Sequence, residues 1–233
     1  MRSPMSGLDW KLYFEALPLY ARNLGVLLYP LVAAGIGLGL TYLEGPLFNP
    51  IGGAGDPIVA FIIQLIYGYG FALAVIFADD AWRHGRGNLR AAWDQARRKA
   101  GNIILAIVGF YFLVYVAGLI GSIGGGIVAL VLTVLAVWAF IYSIPAAAIG
   151  GIPAGGAFSA SLQAARRHPL ATAILTIVSY GVYRALTDFA LQAIGGYMGV
   201  GFDAAQVLLT AIALGYIALI IARQYADLAF RFW

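Results

Sequence analysis

Thirteen of the fourteen Lys and Arg residues of this chain fall in four short clusters, and long apolar runs separate those clusters in a regular beat. The clusters are Arg2, Lys11 and Arg22; Arg83, Arg86, Arg90, Arg97, Arg98 and Lys99; Arg166 and Arg167; and Arg223 and Arg231, with Arg184 standing alone. A helix needs about twenty consecutive apolar residues to cross hydrocarbon. Six windows meet that length: about Leu24 to Leu43, Pro57 to Ala78, Ile103 to Ile120, Ile127 to Ile149, Leu170 to Ile194 and Ala205 to Ala222. Alternation of period two, which a membrane barrel would require, is sustained nowhere. The expected fold is all-α: a polytopic membrane bundle of six transmembrane helices with cytoplasmic interfacial amphipathic helices.

Composition closes off the alternatives. With 62% hydrophobic and 10% charged residues in 233, the chain carries more apolar surface than one soluble core can hide. Its net charge of +4 is concentrated at one membrane face, so it speaks of topology and of anionic lipid as a partner, not of nucleic acid. The absence of cysteine excludes disulfides, thiolate metal clusters and a cysteine nucleophile. Met1 to Asn23 lacks the pattern of a cleaved leader, so the first span is expected to act as its own insertion signal.

Three links carry no Lys or Arg: Glu44 to Asp56, the tight hairpin Gly121 to Gly126, and Gly195 to Asp203. Basic residues are retained on the cytoplasmic side. These links therefore face outward, both termini are expected in the cytosol, and the expected location is a bacterial cytoplasmic membrane.

Each basic link reads as a short helix lying on the membrane. In Asn88 to Lys99 the apolar Leu89, Ala92, Trp93 and Ala96 follow helical spacing while Arg90, Asp94, Arg97 and Arg98 take the other side. Phe158, Leu162 and Ala165 oppose Ser159, Gln163 and Arg166 in the same way, and Leu8 to Leu19 is a weaker third case. QARRKAGNIILAIV from Gln95 matches AARRHPLATAILTIV from Ala164, with YARNLGVLLYPLV from Tyr20 a distant relative. One membrane domain over residues 1–233 would then comprise three units, 1–86, 87–154 and 155–233, each an interfacial helix followed by two spans. The competing account is that any helix entering a membrane from its basic side has this look.

The segment AFSASLQAARRHPLA (Ala157 to Ala171) and the closing RQYADLAFRF (Arg223 to Phe232) are similar to segments of bacterial six-span proteins of the glycerophosphodiester phosphodiesterase membrane-domain type. That resemblance implies a membrane fold. With no soluble phosphodiesterase domain after Trp233, it implies no catalysis.

Polar residues within or beside the spans are the candidate sites. Arg184 and Asp188, one turn apart in the fifth span, form an intramembrane ion pair that would serve either as a substrate or coupling site or as a structural lock. Asp79, Asp80, Arg83 and Asp227 form a candidate cluster at the inner interface. Successive aspartates on a helix point about 100 degrees apart and do not converge on one cation without help. His84 and His168 read as surface histidines in basic segments, so neither haem nor zinc is expected. No other cofactor is expected, although bound lipid is compatible with the chain.

Trp10, Tyr13, Tyr20, Trp82, Trp93, Tyr225, Phe232 and Trp233 read as an aromatic belt, and Tyr67, Tyr69, Tyr111, Tyr115, Tyr180 and Tyr183 as packing or pocket-lining residues. Spaced glycines such as Gly35, Gly37 and Gly39, or Gly68 and Gly70, permit close helix approach. The leading expectation is a noncatalytic membrane protein that packs with itself or with other membrane proteins as a structural or accessory subunit. A transporter or the membrane subunit of an exporter comes second. A membrane-embedded lipid enzyme built on Asp79 and Asp80 comes third.

Overall fold

The computed structural model describes residues 9–48, 55–190, 192 and 202–229. Arg2, Leu8, Arg231, Phe232, Trp233, Ile194 and the middle of both longer outward links lie outside the described residues. Among the described residues every regular element is helical: α1 (Lys11–Arg22), α2 (Leu28–Phe48), α3 (Gly55–His84), α4 (Leu89–Arg98), α5 (Ala100–Ile123), α6 (Gly126–Phe140), α7 (Ser143–Ala148), α8 (Ala154–Arg167), α9 (Pro169–Arg184) and α10 (Phe202–Ala229). A 3-10 turn at Leu24–Leu27 precedes α2, and a π-helical turn at Ala185–Ala190 continues α9. Six helical stretches are long and apolar enough to cross a membrane: Leu24–Leu43, Ile58–His84, Ala100–Ile123, Gly126–Ala148, Pro169–Asp188 and Phe202–Leu228. The architecture is an all-α bundle.

Helices α3 and α10 form its centre. Half of the most apolar window of α10 is buried, against 17% for α5 and for the α6–α7 stretch, so the α5–α6 hairpin stands at the periphery. Helix α6 contains no buried residue at all. Its hairpin turn is shorter than the glycine run, because α5 continues to Ile123 and only Gly124 and Gly125 make the reversal. Gly125 has a φ of +95°, a conformation that side chains rarely tolerate.

The three short amphipathic helices exist as separate elements, α1, α4 and α8. Each joins its span through a single non-helical residue: Asn23 (φ −127°, ψ 48°), Lys99 (φ −109°, ψ 12°) and His168 (φ −129°, ψ 60°). These are the equivalent positions of the three matched segments. In α8, Ala165 is buried while Ser159, Gln163 and Arg166 are exposed, as the spacing predicts. In α4, Ala92 and Ala96 turn inward, but Trp93 stays half exposed and looks into a groove beside α2.

The fourth span departs from the uninterrupted run expected over Ile127 to Ile149. Regular helix stops at Phe140 and resumes as α7, whose six residues are all buried. A hydroxyl from α8 bridges the interruption: Ser161 Oγ donates to the Ala139 carbonyl (2.9 Å) and accepts the Tyr142 N–H (3.1 Å). Pro145 has no N–H with which to continue the helical ladder. Irregular backbone inside so apolar a stretch survives where protein satisfies its polar groups, and Ser161 meets that condition for the Ala139 carbonyl and the Tyr142 N–H.

Candidate functional site

At the basic end of the bundle the acidic residues are used locally. Asp79 pairs with Arg83 at 2.9 Å and Asp80 with His84 at 2.7 Å, each one turn along α3. The two carboxylates diverge: the second oxygen of Asp80 accepts the Asn88 N–H at 2.8 Å, anchoring the entry to α4. Asp227 pairs with Arg223 on α10 at 3.4 Å. The link between the two helices is an indole. Trp82 Nε1 donates to the Leu219 carbonyl (2.9 Å), and the Arg223 guanidinium lies 5.6 Å from the Trp82 ring centre, within cation–π range.

The junction residues hold this end together. Asn23, almost fully buried, donates through Nδ2 to the carbonyls of Leu19 (3.0 Å) and Gly85 (3.1 Å) and accepts the Gly87 N–H at Oδ1 (3.0 Å). It thereby ties the α1–α2 junction to the backbone that leaves α3, where Gly85 adopts a φ of +79°. Lys99 acts likewise at the α4–α5 junction. Its Nζ donates to the Ala148 carbonyl at 3.1 Å, alongside Gln95 Nε2 at 3.1 Å, and so places a cation at the C-terminal end of α7. Burial, with repulsion from Arg98, holds the Lys99 ammonium below its ordinary pKa, while Asp79 opposes the shift.

Several aromatic and imidazole side chains turn inward, contrary to the expectation of a belt and of surface histidines. Tyr13 and Tyr225 are buried. Tyr13 hydroxyl reaches Gln224 Oε1 at 3.5 Å, and burial pushes its phenol up to about 12. The Tyr225 ring packs against Tyr142 at 6.2 Å between centroids. The ring nitrogens of His168 are shielded at the α8–α9 junction, whereas His84 is exposed. Tyr13 is covered where α1 packs on α10, whose Tyr216 hydroxyl donates to the Tyr13 carbonyl at 2.9 Å.

At the opposite end Arg184 and Asp188 are in direct contact across the start of the π turn, and Thr187 Oγ1 donates to Asp188 Oδ1 at 3.1 Å. Tyr183 is an electrostatic neighbour of both charges, and Tyr67 of α3 and Tyr111 of α5 are neighbours of Tyr183 in turn. Tyr115 and Tyr180 face outward instead, and Tyr69 lines the groove beside α2. Among the described residues no three His, Asp or Glu side chains gather as a metal site would require.

One feature had a signal that hydropathy conceals. Thr172, Thr176, Ser179 and Tyr183 recur at i, i+4, i+7 and i+11 and give α9 a polar stripe, whose three hydroxyl residues Thr172, Thr176 and Ser179 are buried. Thr172 shares a hydrogen bond with Tyr142 (3.4 Å), and Gln224 Nε2 donates to the neighbouring Ala171 carbonyl at 3.0 Å. Hydroxyls barely lower the hydropathy of a span, so only their spacing betrays them. The glycines also divide: Gly37, Gly68 and Gly70 lie against Tyr67, Ile107 and Ala33, while a side chain at Gly35 or Gly39 would meet open space.

Six long apolar helical stretches, with the short amphipathic helices α1, α4 and α8 preceding α2, α5 and α9, define an all-α bundle whose helices are long and apolar enough to cross a membrane. Compared with known proteins, the chain matches no family model, no curated protein and no solved structure.

Proposed function

We propose that this chain is a noncatalytic integral membrane protein that packs with itself or with another membrane protein as a structural or accessory subunit. The observation that carries the reading is the outward pair Gly35 and Gly39 on α2. The two lie one turn apart with nothing over them, in the spacing that lets a second transmembrane helix approach closely. Peripheral α6, with no buried residue, leaves further helix surface available to a partner. The pairing of Asp79, Asp227 and Asp188 with arginines one turn away, and of Asp80 with His84, supports structural use of these side chains. In this reading the basic end and both termini are cytoplasmic, the membrane is the bacterial cytoplasmic membrane, and the chain consists of three related units.

Association is tested with Gly35→Leu and Gly39→Leu in mild detergent, by native mass spectrometry of the purified assembly. Each substitution points into open space, so folded yield should hold while the complex weakens by at least about tenfold, the effect of some 1.4 kcal/mol. A wild-type protein that is monomeric and partnerless, or a leucine variant that assembles normally, overturns the reading.

A transporter is the second reading, favoured by the polar stripe of α9 leading toward Arg184 and Asp188 and by the interrupted α6–α7 segment. The two readings separate on folded yield. If the pair is a lock, Arg184→Ala lowers yield by stranding Asp188, and Arg184→Ala combined with Asp188→Ala recovers most of it. Wild-type yield in both variants removes the lock and favours the transporter.

A further inference from the structure

Helices α2 and α5 stand apart on either side of α3 near the basic end, and between them runs an open apolar groove of about 440 Å³. Val32 and Ile36 of α2 form one wall, Ile104 of α5 the other, and Gly70 and Leu73 of α3 the floor. The seven-residue step from Tyr29 to Ile36 gives it a length of about 10 Å. Its volume falls within the range of about 300–1,000 Å³ typical of ligand pockets. Trp93 of α4 stands at its basic end.

Helix α4, which sends Trp93 into the groove, carries basic residues on either side of that indole in sequence. Tyr29 hydroxyl donates to the Leu89 carbonyl and fixes α4 across the end of α2. Arg90 and Arg97 lie three residues before and four after Trp93, so the half-exposed indole stands at the border of the apolar face, next to the basic side that they occupy. Both are exposed. Helix α4 carries Arg90, Arg97 and Arg98 against Asp94 alone, and Arg97 reaches that carboxylate only at 4.0 Å.

We infer that the groove is a binding site for one anionic glycerophospholipid of the leaflet at the basic end. An acyl chain lies along α3 between α2 and α5, the glycerol region packs on Trp93, and the phosphate sits between the Arg90 and Arg97 guanidiniums. Charge complementarity selects this occupant over a partner helix, because an apolar helix would leave the net positive charge of α4 beside the groove uncompensated. Guanidinium forks suit phosphate oxygens geometrically as well as by charge. Gly35 and Gly39 adjoin the Val32 and Ile36 wall along α2, but the lipid contact and the helix contact use different groups, and neither inference requires the other.

The test is lipid retention in native mass spectrometry, after delipidation in detergent and addition of phosphatidylglycerol or phosphatidylcholine of identical chains. The expected result is a single retained phosphatidylglycerol favoured about tenfold over phosphatidylcholine, since each basic residue near an anionic headgroup contributes about fivefold at most. Arg90→Gln with Arg97→Gln should erase the preference without touching the bundle, both side chains being exposed. Ile104→Trp, which fills the groove, should reduce retention of both lipids. Equal retention of the two lipids by the wild-type protein, an unchanged preference in the arginine variant, or unchanged retention in Ile104→Trp overturns the assignment. So does displacement of the lipid by a copurifying membrane protein that occupies the groove.

Discussion

Asn23→Ala is expected to destabilise the bundle by about 2–4 kcal/mol, because the substitution strands three backbone groups at a covered junction, each costing about 1–3 kcal/mol when wholly buried. The groups are the carbonyls of Leu19 and Gly85 and the N–H of Gly87. Partial access of water to the Gly85–Gly87 turn keeps the total below the sum of three full penalties. Lys99→Met should cost less, since Gln95 continues to donate to the Ala148 carbonyl. Asn88→Ala, which removes only the cap bond to the Ala91 N–H, should cost about 1 kcal/mol. Denaturant unfolding of the three variants in one detergent gives the ranking. An Asn23→Ala protein no less stable than Asn88→Ala would show that the junction does not hold α1 and α2 against the end of α3.

The legibility of these features in the sequence follows their range. The six long apolar helical stretches are visible because length and composition are properties of the sequence itself. The amphipathic helices α1, α4 and α8 are visible because their periodicity is local, and Arg184 with Asp188 because a turn of helix brings them together. Asn23, Lys99 and His168 align in the matched segments, yet their spacing cannot disclose that two of them reach carbonyls 62 and 49 residues away. The interruption before α7 is equally hidden. It depends on a hydroxyl from Ser161, nineteen residues beyond the Tyr142 N–H that it accepts, within a run whose hydropathy never falters. Trp93 reads as an inward apolar residue because a helical face specifies direction and not neighbour. What it meets is decided by the separation of α2 and α5.

The hairpin of α5 and α6 offers the sharpest test of close packing. A Cβ on Gly121 would lie 2.4 Å from the Ala129 Cα, 2.8 Å from its nitrogen and 3.0 Å from the Val128 carbonyl oxygen. All three are backbone atoms, so no rotamer change relieves the overlap and the helices themselves must separate. Gly121→Val is therefore expected to cost about 3 kcal/mol, the upper part of the usual overpacking range, and to splay the hairpin. Gly126→Val, two residues past the Gly124 turn and facing open space, should be tolerated. The chain has no cysteine of its own, which permits a direct readout. Gly118 and Thr133 face one another across the hairpin, a Cβ at Gly118 lying 3.3 Å from the threonine hydroxyl, so cysteines at these two positions should form a disulfide on mild oxidation. The bond should form in the otherwise native protein and in Gly126→Val, and fail in Gly121→Val. The central α3–α10 core lies on other elements, so the same variant should keep its helical content while losing the crosslink. Undiminished crosslinking in Gly121→Val would mean that α5 and α6 do not meet as closely as the glycine requires.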